Sequence, residues 1–289
     1  MTDTLRGALW MLGTIFSFSV MAVAGREASD VLDTFELMLY RSIVGLVIVA
    51  GVITATRRWH EVPTRHFSTH LLRNLAHFTG QNLWFYAVTV VPLAQVFALE
   101  FTSPLWVIVL SPLLLGERLT ATRAICALVG FIGILIVARP GATPINAGLV
   151  TAASCAIFFA LTIMLTKRLT RADSIACILF YLTALQLVMG LVASGYDGDI
   201  ALPDMRTLPF VIAIGLGGLL AHFCYTKALS LAPATLVSPI DFGRLPAIAL
   251  AAWVLYGEAV DIWVFIGAAL IFGGNYLNIM TETRRAARA

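Results

Sequence analysis

The sequence predicts an all-α membrane protein: ten transmembrane helices arranged as two inverted five-helix repeats. Three observations carry that expectation. The 289 residues are 60% hydrophobic and only 12% charged, with a mean hydropathy of +0.90, whereas a soluble domain carries roughly 25% charged residues. Ten apolar stretches approach the roughly 20 residues that cross a bilayer, and basic residues collect in alternate connections between them. The chain also partly matches itself when shifted by 141 residues.

The stretches follow in order. Residues 5–24 carry Arg6 ahead of an apolar run that ends in Ala22-Val23-Ala24-Gly25, a small-x-small pattern like a signal-peptide cleavage site. The apolar run is longer than the roughly 7–15 residues of a signal core, and it has a counterpart later in the chain, so it reads as the first span. The second, 35–55, carries Arg41 near its start, where a long side chain can snorkel to the interface or face a cavity. The connection 56–70 holds His60, His66 and His70 and reads as a solvated loop. The third span, 71–91, carries Asn74, His77, Gln81 and Trp84 at spacings of 3, 4 and 3, which share one helix face. That stripe fits either a cavity wall or a helix–helix seam tied by hydrogen bonds. The fourth, 93–115, carries Glu100; the fifth is 121–139.

The sixth span, 146–166, carries Phe158 and Phe159; with Trp10, Phe16 and Phe18 of the first they are aromatics more commonly found against lipid or core. The seventh is 175–195, and the connection 196–207 follows. The eighth, 208–229, places His222 and Tyr225 opposite Gln81 and Trp84 at the 141-residue offset. The ninth, 233–256, carries Asp241 opposite Glu100, and Arg244 three residues on, within reach of an in-helix ion pair. The tenth is 260–280. Prolines at 104, 112, 239 and 246 fall inside spans, which is tolerated where neighbours satisfy the freed backbone groups. Glu100 has no local ionic partner in the sequence; His77, Arg41 or a cationic substrate are its candidates. Two carboxylates at related depths are candidate protonation sites.

With the N-terminus in the cytoplasm, 14 Lys and Arg fall on the cytoplasmic side against Arg26, Arg139 and Arg206 outside. The positive-inside rule then sets both termini in the cytoplasm. The net charge of +3 is small, so nucleic acid is excluded as an expected partner. Cys126, Cys155, Cys177 and Cys224 fall singly in separate spans and read as packing residues.

The offset brings Gly116-Glu117 onto Gly257-Glu258, Pro92 onto Pro233, Arg26 onto Lys167 and Tyr40 onto Tyr181. It defines one repeat over 1–140, a second over 146–281, and a cytoplasmic tail at 282–289. Because five is odd, the repeats are inverted, the architecture of alternating access around a central site. The stretches from Pro92 through Phe101-Thr102-Ser103-Pro104 to Gly116-Glu117, and from Pro233 through Ser238-Pro239-Ile240-Asp241 to Gly257-Glu258, resemble the same region of two EamA domains. The chain is thus similar to EamA-type members of the drug/metabolite transporter superfamily. The resemblance implies ten helices, cytoplasmic termini and a cavity between the halves. Its Gly-Glu pairs read chemically as a turn with a polar cap.

The expected function is a secondary transporter in the bacterial inner membrane, moving an amino-acid-like or other amphipathic, zwitterionic metabolite by alternating access. Uptake of a flavin-like vitamin or of S-adenosylmethionine is the alternative the resemblance supplies. An intramembrane enzyme built on His77 and Glu100, or a membrane scaffold, are the other classes. The expected substrate-binding residues are Asn74, His77, Gln81, Trp84, Glu100, His222, Tyr225, Asp241 and Arg244. No catalytic residue, metal or cofactor is expected, and the chain carries no G-x-x-x-x-G-K-[ST] loop for direct use of ATP. The partners are a small molecule, the bilayer and candidate protons, in a monomer or homodimer.

Overall fold

A computed structural model of the chain describes residues 3–286 apart from 104, 108, 111–120, 139–145, 197, 233–236 and 260. Among these residues there are ten α-helices, two short 3-10 turns and no strand. The first half contains α1 (Asp3–Ala28), α2 (Thr34–Ala55), α3 (Phe67–Val90), α4 (Leu93–Glu100) and α5 (Ala121–Ala138). The second contains α6 (Ala147–Leu169), α7 (Ile175–Ser194), α8 (Leu208–Leu231), α9 (Arg244–Tyr256) and α10 (Ile262–Ala286). Five of them, α1, α2, α6, α7 and α8, meet the length and hydropathy of a membrane span without interruption.

Local chemistry fixes several boundaries. Asp33 and Glu36 form a reciprocal capping box that starts α2. Asn146 and Ser174 accept backbone N–H bonds that start α6 and α7. Gly257 ends α9 with φ +63°, a left-handed conformation natural to glycine. That agrees with the expected turn at Gly257-Glu258; Gly116-Glu117 lies outside the described residues.

The most extensive contacts are α1 with α8, α3 with α6, α5 with α10 and α2 with α7. Exchange each helix for its equivalent five places along, and this set maps onto itself. The lesser pairs α4–α6 and α1–α9 interchange in the same way. The molecule therefore carries an internal pseudo-two-fold, and the odd helix number per half makes the repeats inverted.

Three expectations need correction. First, α3 begins at Phe67 rather than near 71, so His70 belongs to the helix and is fully buried; the reading of a solvated loop fails for His70, while His66 stays in the turn before the helix. Second, the fourth and ninth spans are not continuous helices. α4 stops at Glu100, a turn follows at Phe101 and Thr102, and helical backbone resumes at Ser103. The ninth span opens with a 3-10 turn, Ser238–Gly243, before α9. The interruptions fall at Glu100 and Asp241, equivalent positions of the two repeats. Thr102 Oγ1 donates to the Leu99 carbonyl (2.8 Å) and Ser103 Oγ to that of Glu100, satisfying acceptors that the break releases. Third, α10 runs on to Ala286, through most of the segment expected as a tail.

Candidate functional site

The broken helices face one central cavity. It holds about 820 Å³ of space free of atoms, its opening included, and is walled by α1, α3, α4, α6, α8 and the 3-10 turn leading into α9. The α3 wall approaches α6 closely because Gly80 has no side chain: a Cβ there would lie 2.9 Å from that of Phe158.

One end is a buried charge cluster. Arg244 Nη2 donates to Glu100 Oε1 at 2.9 Å and also to Asp241. Trp84 Nε1 donates to the other oxygen of Glu100 at 2.7 Å. The guanidinium lies over the rings of Phe18 (4.8 Å), Phe97 (5.2 Å) and Phe101 (5.3 Å), whose faces attract a cation. Two carboxylates share one guanidinium, and Asp241 Oδ1 and Arg244 Nε have no hydrogen-bond partner among the described residues. The expected Asp241–Arg244 pair is present. Glu100, expected to lack a protein partner nearby in sequence, has two partners from other helices.

The middle is aromatic. His77 and His222 meet edge to face at 4.7 Å. Phe18 approaches His222 at 5.5 Å and Phe159 approaches His77 at 6.2 Å. Neither ring nitrogen of His77 has a hydrogen-bond partner among the described residues. Gln81 and Tyr225 line the same space. Among the described residues Glu100 pairs with Trp84 and Arg244, not with the His77 that the enzyme alternative requires.

The far end is Arg73 with Thr162, Thr166 and Thr226. Arg73 Nε donates to Thr166 Oγ1 and Nη1 to Asn74 Oδ1, both at 3.1 Å. Arg73, one of the 14 basic residues assigned to the cytoplasmic side, is 1% exposed. Asn74, expected in the cavity, lies in the seam: its Nδ2 donates to the His70 carbonyl (2.8 Å), and Gln186 of α7 donates to its backbone carbonyl (2.9 Å). The helical wheel does not choose between them: at roughly 100° per residue, residues 73, 77, 81 and 84 span an arc of roughly 80°, and so do 74, 77, 81 and 84. Arg41 is buried against the face of Gly218, beside a separate cleft of about 230 Å³ between α2, α7 and α8, and lines neither the central cavity nor the interface.

Arg26 of α1 is ion-paired with Glu258 after α9, lies 4.8 Å from the Tyr256 ring centre, and donates to the Val91 carbonyl (3.4 Å). Glu258 also accepts the Leu93 N–H at 3.0 Å. At the opposite face the equivalent Lys167 donates to the carbonyls of Leu229 (2.7 Å) and Ala232 (3.2 Å), and Ala232 is the equivalent of Val91.

The model of the EamA-like transporter family matches residues 5–139 and again 146–280. The chain belongs to that family. Its members that resemble this chain include a riboflavin transporter of Vibrio cholerae, 29% identical over 289 residues that cover 98% of this chain and 96% of the relative. A riboflavin transporter of Brucella anthropi is 34% identical over 229 residues, 78% of this chain and 80% of the relative. An S-adenosylmethionine uptake transporter of Rickettsia felis is 27% identical over 285 residues, 98% and 96% respectively. A solved crystal structure shares the fold with a TM-score of 0.70 at 18% identity, covering 96% of this chain and 98% of the other. As an EamA-like family member the chain is a multi-pass membrane protein of a transporter family, and its cavity lies where inverted-repeat transporters hold their substrates.

Proposed function

We propose that this protein is a secondary transporter that takes up a flat heteroaromatic metabolite, with riboflavin as the first candidate, across the inner membrane. The observation that carries the substrate class is the cavity's middle: Phe18, His77, Phe159 and His222 present ring faces and edges to one space, with polar groups at both ends. An aromatic ring system can pack against these rings from the cavity, worth about 0.5–1.5 kcal/mol per pair beyond area burial. A polyol or ribosyl chain then reaches Arg73 and the threonines, or the charge cluster. The amino-acid-like class fits less well, because Glu100, Asp241 and Arg244 already satisfy one another in part. The relatives named as riboflavin transporters support the same class.

The charge count favours both termini in the cytoplasm, which puts the Arg26–Glu258 contact on the outer side and Lys167 on the inner. Glu100 and Asp241, sharing one guanidinium, serve as the candidate proton acceptors.

S-adenosylmethionine is the second reading. One observation favours it: two carboxylates around one arginine leave a net negative charge, with Asp241 Oδ1 unpartnered, which complements a sulfonium or ammonium cation.

The test is uptake into proteoliposomes containing purified protein, with labelled riboflavin, S-adenosylmethionine and an amino-acid mixture supplied separately. Saturable riboflavin accumulation, matched by a riboflavin-induced rise in melting temperature, is expected. Flux of S-adenosylmethionine alone moves the assignment to the second reading. Flux of amino acids alone rejects the heteroaromatic class, and no flux from folded protein rejects transport of all three.

A further inference from the structure

On the proposed cytoplasmic face, away from the cavity, four donors from three segments converge. His66 precedes α3, His70 lies in its first turn, Asp173 sits in the turn between α6 and α7, and Cys177 lies in the first turn of α7. His70 Nε2 is 3.1 Å from Asp173 Oδ2 and 3.8 Å from Cys177 Sγ. His66 Nδ1 is 3.0 Å from Asp173 Oδ1 and 3.2 Å from Oδ2. The ligand atoms of His70, Asp173 and Cys177 all lie within 4.8 Å of one another. The side chains of His70 and Asp173 are 0% and 2% exposed, and Cys177 is fully buried.

From these positions we infer a binding site for a divalent transition metal of the zinc class, formed by His66, His70, Asp173 and Cys177. A tetrahedral zinc site with bonds of roughly 2.0–2.3 Å places its ligands roughly 3.3–3.8 Å apart. The separations among His70, Asp173 and Cys177 need only small side-chain shifts to meet that, while His66 reaches the group through Asp173. Imidazole, carboxylate and thiolate together select zinc or cobalt(II) over magnesium or calcium, which take oxygen ligands. The surroundings are built. Ser174 Oγ accepts the Cys177 N–H (3.1 Å) and so fixes where the thiol stands. The Tyr181 ring stacks on His70 at 4.4 Å, and its hydroxyl donates to the Pro63 carbonyl at 3.2 Å, tying the histidine segment to α7. Electrostatics favour occupation as well. The ion pairs of the described residues give Asp173 only imidazoles, so its buried charge is compensated by a protonated histidine or by a cation. Binding displaces the thiol proton to solvent and leaves the metal coordinated by Cys177 Sγ. Since His66 and His70 belong to the first repeat, and Asp173 and Cys177 to the second, the ion staples the two repeats together. The inference does not depend on the substrate assignment.

The experiment uses untagged full-length protein in detergent, stripped with EDTA and titrated with zinc and cobalt(II). One equivalent of cobalt should produce a near-ultraviolet sulfur-to-metal charge-transfer band, and zinc should displace it. Zinc should raise the melting temperature and protect Cys177 from alkylation, mapped by mass spectrometry; EDTA should reverse both. Cys177→Ser should remove the band and weaken binding on the order of tenfold or more, while the exposed His60→Ala variant should behave as wild type. Absence of saturable binding to the wild-type protein overturns the site. So does a cobalt spectrum without the sulfur band, or stability that follows pH but not zinc, which marks a plain imidazolium–carboxylate pair.

Discussion

At the level of single residues, Arg244 holds the most consequential position. It is 3% exposed, forms ion pairs with both Glu100 and Asp241, and lies against three phenylalanine rings. Removing it leaves two buried carboxylates without a cation, a loss of about 3–5 kcal/mol for a broken buried pair. Arg244→Ala should therefore lower the melting temperature markedly. Glu100→Gln is the gentler probe, because a Gln carbonyl still accepts from Trp84 Nε1. It should melt within a few degrees of wild type yet transport at least about tenfold more slowly, since a hydrogen bond to a charged group is worth about 1.5–3 kcal/mol. Initial uptake rates in proteoliposomes check this. Equal rates for wild type and Glu100→Gln would remove the acid from the transport cycle.

Helices pack here through small residues, since lipid gives apolar side chains little reason to prefer a neighbouring helix. Gly133 of α5 meets the Gly267 carbonyl of α10 so closely that a Cβ would stand 2.7 Å from the oxygen. Gly133→Leu should cost about 1–3 kcal/mol through forced separation of the pair, measured as a fall in the detergent melting temperature. The capping box of α2 gives a milder effect. Asp33→Ala should cost about 1 kcal/mol, because Glu36 keeps its own bond to the Asp33 N–H but loses the reciprocal one. A drop from Asp33→Ala as large as that from Gly133→Leu would contradict this ranking. The broken helices belong to this scale too. The sequence held prolines at 104 and 239 beside the breaks, but hydropathy runs smoothly across both segments, so periodicity alone could not show where each helix stops.

For the whole molecule, the Arg26–Glu258 contact joins α1 to the end of α9 and, through Leu93 and Val91, to the start of α4. If it closes the outer side, Glu258→Gln should expose the cavity. A Gln81→Cys probe, in a background without native cysteines, should then react faster with a membrane-impermeant thiol reagent applied outside. Unchanged labelling would show that another barrier closes that side. Lys167, the repeat equivalent of Arg26, makes the corresponding backbone contact at the opposite face.

The sequence alone determined the helical class, the ten segments and the duplication, because burial in lipid demands long apolar runs and the repeat survives as a constant offset. It also marked His77, Gln81, Trp84, Glu100, His222, Tyr225, Asp241 and Arg244, since polar groups inside spans are few and must face protein or water. Only the tertiary structure decided how they group. It joined Trp84 and Glu100 to Arg244 across three helices, moved Asn74 into a seam, and set Arg73 at the far end of the cavity. It also gathered His66 and His70 around Asp173, more than 100 residues away. A helix's own pattern sets which residues share its face within a few tens of degrees; which neighbour that face meets depends on packing between distant segments, and no local spacing encodes it.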